Sequence, residues 1–160
     1  MPDLPALLER YRRGPELLAV VLTGVFGEEE DFALPGKWSV RQIVAHLADA
    51  ELVGAHRFRQ VIAEDNPTLI AFDQEAWVRN LDYAVRKPKQ SLETFRRIRA
   101  ENHELLKALP LAAFERAGNH SENGRMTLVQ LLEGYAQHAE THARQLQETR
   151  EEYKRVKGRK

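Results

Sequence analysis

At 160 residues, 42% hydrophobic and 30% charged, the chain has the balance of one soluble globular domain, large enough to bury a core without cross-links. Its 24 basic and 24 acidic residues cancel, so no global attraction to nucleic acid or to an anionic membrane is expected. There is no cysteine, which excludes disulfides, thiolate metal ligands and a protein-borne thiol nucleophile, and which suits a cytoplasmic protein.

The first residues, MPDLPALLERYRRG, carry charges where a signal peptide needs an apolar stretch. The longest clean apolar run, LLAVVL at residues 17–22, is far shorter than the ~20 residues of a membrane span. A first helix is predicted from about Leu4 to Val25, with a kink or break at Gly14-Pro15 because proline lacks an amide donor. Residues 27–36 form an acidic loop ending at Pro35-Gly36. Ser39, with Gln42 three residues on, reads as a capping box that opens a second helix reaching about Ala63.

Asp73 is placed to cap a short helix, DQEAWVRNLDY, and Ser91 a third long helix that ends at Leu109-Pro110. Residues 111–126 read as a turn-rich loop with no convincing strand. Thr127 and Gln130 make a second capping box, opening a last helix to about Tyr153; the basic residues 154–160 read as a solvated tail. The fold class that follows is all-α, an antiparallel four-helix bundle with a short extra helix in a longer crossover.

Of six histidines, His138 and His142 stand out because they lie four apart on the last helix. At about 100° per residue, His142 falls near the middle of the apolar arc set by Leu128, Leu131, Leu132, Tyr135, Ala139 and Leu146, with His138 about 40° away. Both imidazoles therefore point inward, the geometry that supplies two ligands to one metal ion. His46 sits at the edge of the second helix's apolar stripe, about 80° from its centre, facing a seam where it could be a third ligand. Small residues at Ala50 and Gly54 would let another helix approach closely. Taken alone, an inward histidine is more often a hydrogen-bonded core residue. His56, His103 and His120 read as ordinary, falling on a polar face, a helix edge and a loop.

The segments WSVRQIVAHLADAE and GRMTLVQLLEGYAQHAETHARQLQ, in this order, resemble the hallmark motifs of the DinB/YfiT-like family over roughly residues 4–150. The resemblance implies one four-helix-bundle domain and a divalent metal, zinc or nickel, held by His46, His138 and His142. It also implies a homodimer acting on a small molecule, without nucleic-acid or membrane partners. Relatives in that family include thiol-dependent enzymes, such as bacillithiol transferases and a mycothiol-dependent maleylpyruvate isomerase, besides metal-dependent hydrolases. A metal-dependent thiol transferase or hydrolase is thus expected, with a low-molecular-weight thiol as the cosubstrate in the transferase case. The alternative is a non-catalytic metal-binding or stress-response protein whose metal is structural. Asp49, one turn from His46, and Glu51, toward the apolar side, are the candidate catalytic groups; the competing reading for each is a carboxylate in an ordinary salt bridge.

Overall fold

In the computed structural model, which describes residues 1–158, the predicted break at Gly14-Pro15 divides α1 (Leu4–Arg12) from α2 (Gly14–Val21). Pro15 has no N–H to offer the Tyr11 carbonyl four residues back. Arg99 takes that carbonyl instead, its Nη1 donating at 2.9 Å. Gly14 makes the room, since a Cβ there would lie 2.1 Å from the same Nη1.

A short 3-10 segment, Gly27–Asp31, leads into α3 (Val40–Ala63). The expected capping box opens α3: Ser39 Oγ accepts from the Gln42 amide, and the Gln42 side chain accepts from the Ser39 amide. Asp73 caps α4 (Gln74–Asn80) as predicted. The next helix departs from expectation. α5 (Pro88–Lys107) starts at Pro88, and Ser91 lies buried inside it rather than capping it. Proline at the first helical position has its φ preset and no amide left unpaired, so it can start a helix without a side-chain cap.

α6 (Leu128–Lys157) begins at the predicted Thr127–Gln130 capping box and passes Tyr153 by four residues. Lys154, Arg155 and Lys157 face the negative end of the helix dipole, and Lys157 pairs with Glu28. Residues 154–157 of the basic tail are therefore helical; Arg159 and Lys160 lie outside the described residues.

α3 and the α1–α2 pair occupy opposite corners, each packed against α5 and α6, with α4 in the crossover. The apolar core has two main lobes. One gathers Leu7, Phe58, Val61, Leu106, Leu131 and Leu132; the other gathers Leu18, Ile43, Val44, Leu47, Phe95 and Leu146. Glu51 and Arg99 form a buried polar pair within this bundle, exposed by 0% and 1% at their side chains. No described helix is long and apolar enough to cross a membrane.

The absence of strands is a second expectation that fails. β1 (Thr68–Leu69) pairs in parallel with β2 (Ala117–His120), which pairs antiparallel with β3 (Gly124–Thr127). Gly124, at φ +70°, closes the turn of the β2–β3 hairpin in the left-handed conformation such short loops require. Strands of two to four residues are too short for period-two alternation to be read from sequence. β2 lies against α3 and β3 against α6, and His120, Asn123 and Met126 of this hairpin line a cavity that His138 also lines.

Candidate metal centre

α3 and α6 bring His46, His138 and His142 together. His138 Nε2 lies 3.0 Å from His46 Nε2 and 3.1 Å from His142 Nε2. One ring nitrogen from each residue lies within 4.8 Å of the others. His46, placed by the helical wheel at a stripe edge, is 1% exposed, because the flank of α3 is covered by α6 and by Trp38. The Trp38 ring packs against the His46 imidazole at 4.9 Å between centroids.

The arrangement is frustrated without a further partner. His138 Nε2 lies at hydrogen-bond distance from two other ring nitrogens, and a single hydrogen cannot serve both contacts. The Nδ1–H of His142 donates to Gln145 Oε1 at 2.7 Å, which leaves its Nε2 lone pair directed at the cluster. A divalent cation that accepts all three lone pairs removes the conflict, and three imidazoles are a donor set such ions favour. These residues therefore fit a metal.

Electrostatics agree. Burial, followed by the neighbouring His142, pushes His46 down to about 4. Burial, with His142 and His46 adding to it, takes His138 down to about 2. His142 is also lowered by burial, with Gln145 acting in the opposite direction. All three rings are thus neutral at pH 7 and retain the lone pairs that a metal requires.

The two candidate carboxylates are engaged elsewhere. Asp49 accepts from Tyr83 Oη at 2.7 Å and from Arg86 Nη2 at 3.0 Å. Glu51 accepts from Tyr11 Oη and from Arg99, whose Nε and Nη2 each lie 3.2 Å away. Burial pushes the Glu51 carboxyl above the usual carboxylate range, opposed by Arg99. The Arg99 Nη2 also donates to the Tyr135 carbonyl at 2.6 Å, one turn before His138. Glu51 is thus tied to the backbone that carries the histidines.

A cavity of about 200 Å³ adjoins the cluster, and His138, Tyr135, Arg57, His120, Phe72 and Gln74 are among the residues lining it. Gly54 lets α6 approach, because a Cβ there would meet the Tyr135 ring at 2.6 Å. Among the remaining histidines, His56 is exposed and His103 lies 3.7 Å from Glu104. His120 is not an ordinary loop residue. It lies on β2, only 6% exposed, and its Nδ1 accepts the amides of Glu122 and Asn123 at 3.2 Å. Gln145, Arg57 and His120 were not singled out from sequence. The i, i+3 spacing of His142 and Gln145 was the available signal for the first, whereas His120 depends on a sheet that periodicity did not reveal.

The family model of the DinB superfamily matches residues 10–146. Similar proteins include YfiT of Bacillus subtilis, described as a candidate metal-dependent hydrolase and 31% identical over 108 residues, 67% of this chain and 61% of that one. A relative from Oceanobacillus iheyensis with the same description is 29% identical over 129 residues, 80% of this chain and 74% of that one. A third, from Bacillus licheniformis, is 29% identical over 142 residues, 88% of this chain and 81% of that one. The solved structure of Bacillus subtilis YfiT, described as a four-helix bundle of unusual topology, superposes with a TM-score of 0.87 at 25% identity, covering 96% of this chain and 87% of that one.

Proposed function

This chain belongs to the DinB superfamily, and we propose that it is a metal-dependent enzyme that hydrolyses a small molecule, with His46, His138 and His142 holding the ion. One observation carries the reading: three neutral ring nitrogens converge, and Gln145 fixes the tautomer of one so that its lone pair faces the others. Bound there, a divalent ion supplies Lewis acidity and lowers the pKa of a coordinated water or thiol toward neutrality. The description of YfiT and two further relatives as candidate metal-dependent hydrolases favours water over thiol as the attacking group.

The chain's own residues take the remaining parts. Gln145 orients His142, and Trp38 screens His46 from solvent. Tyr135 Oη, held by Arg57 Nη1 at 3.2 Å, is a polar group on the wall of the cavity next to His138. Asp49 and Glu51 are held by arginine and tyrosine partners away from the cluster, so a metal held by His46, His138 and His142 would be the group that supplies acidity to the nucleophile.

The test is metal analysis of protein purified without a histidine tag, followed by hydrolysis assays on short esters and amides. Near-stoichiometric metal, lost in His138→Ala, and turnover that a chelator abolishes and added metal restores would support the reading. Metal content unaffected by His138→Ala would overturn it.

A further inference from the structure

Two buried side-chain polar atoms among the described residues lack a hydrogen-bond partner, Arg57 Nε and His138 Nδ1. Both residues line the cavity beside the histidine cluster. Buried polar atoms are nearly always paired, and Arg57 Nε–H, always a donor, lacks its acceptor. Arg57 makes only neutral contacts, to Tyr135 Oη at 3.2 Å and to the Ile70 carbonyl at 2.8 Å. Neither of its partners balances its charge. The described lining of the cavity includes no aspartate or glutamate, so Arg57 is its fixed charge.

Other wall residues add donors. His120 accepts two backbone amides at Nδ1, which places its own proton on Nε2. Gln74 and Asn123 bring side-chain amides. A cationic, donor-rich cavity without carboxylates selects an anion. Its volume, about 200 Å³, is below the range for drug-sized ligands, so the ligand is a short molecule.

We propose that Arg57 is the substrate anchor: the molecule turned over carries a carboxylate that pairs with the Arg57 guanidinium while its reacting group reaches the histidine cluster. A carboxylate can accept from the Nη side of the Arg57 guanidinium, whose present partners are a hydroxyl and a carbonyl, a pairing suited to arginine. The position of the reacting group rests on the metal reading given above; the anion site rests on the cavity alone.

Three probes separate the two readings. Acetohydroxamate presents a metal-binding group without a charge tail, the monohydroxamate of succinic acid adds a carboxylate, and succinate has the carboxylates without the hydroxamate. In zinc-loaded wild type the monohydroxamate should bind about tenfold or more tighter than acetohydroxamate, the effect of roughly one charge-assisted hydrogen bond. Arg57→Gln should bring that ratio near one, and Arg57→Lys should keep part of it, with circular dichroism checking the fold of both. A ratio near one in wild type, or one unchanged in a folded Arg57→Gln, overturns the anchor.

Succinate supplies a readout that needs neither metal nor variant. The Arg57 Nε–H resonance in a nitrogen-15 spectrum should move on titration into metal-free wild type. A resonance still unmoved at saturating succinate overturns the anchor. If acetohydroxamate fails to bind zinc-loaded protein while that resonance still answers succinate, the metal reading falls and the anchor stands.

Discussion

His142 and Gln145 fix the orientation of the histidine cluster: the ring's Nδ1–H donates to the amide oxygen at 2.7 Å, which aims the opposite nitrogen at His138 and His46. Replacing Gln145 by leucine removes the acceptor while leaving all three proposed ligands in place. Metal affinity should fall roughly 10–100-fold, as with other groups that orient a ligand histidine. Competition against a chromophoric chelator measures it, and an unchanged constant would refute the orienting role.

Acid should destabilise the metal-free protein. The folded histidines bind protons less readily than the unfolded ones, whose value is 6.5, with His46 down to about 4 and His138 down to about 2. Between about 6.5 and 4 the unfolded chain therefore carries more protons, and stability drops as the pH falls. The slope per histidine approaches about 1.4 kcal/mol per pH unit at most. Urea unfolding across this window should show it, more shallowly in a His138→Gln variant than in wild type. A flat profile in wild type would contradict the assignment.

Arg99→Met should be among the most damaging single changes. It strands the fully buried Glu51 carboxylate and leaves the carbonyls of Tyr11 and Tyr135 without their donors. The expected loss is about 3–5 kcal/mol. Adding Glu51→Leu should recover a good part of it, because the buried charge leaves with its partner. A double mutant as unstable as Arg99→Met alone would show that the carbonyl contacts matter more than the charge.

Gly54→Ala tests whether the close approach of α3 to α6 sets the cavity. The new methyl would overlap the Tyr135 ring, whose nearest atom is 2.6 Å from that position. A loss of about 1–3 kcal/mol is expected for such overpacking, with a displaced Tyr135 in a crystal structure. Stability within experimental error of wild type would mean that the ring moves aside freely.

The bundle was legible because its signals are local. Ser39–Gln42 and Thr127–Gln130 start two helices where the capping chemistry says they should, and His138 and His142 share a face by spacing alone. What escaped was set by contacts distant in sequence. His46 belongs to the buried cluster because of Trp38 and α6, not because of its angle on α3. Arg99 falls on the buried stripe of α5 with Ser91, Phe95, Asn102 and Leu106, but its charge hides it as a core residue, and its partners, Glu51 and the carbonyls of Tyr11 and Tyr135, come from elements distant in sequence. The three strands hide in short segments, and β1 joins β2 from about fifty residues away.

That small sheet divides the labour of the molecule. The three histidines are carried by two long continuous helices, whereas Phe72, Gln74, His120, Asn123 and Met126 reach the cavity from the connections around them. Changes in those connections can remodel what the cavity admits without moving a helix. The three histidines, Arg57 and Tyr135 stay fixed on α3 and α6 while this part of the wall varies, so descendants of one bundle can keep the histidine cluster and still change the shape of the cavity beside it.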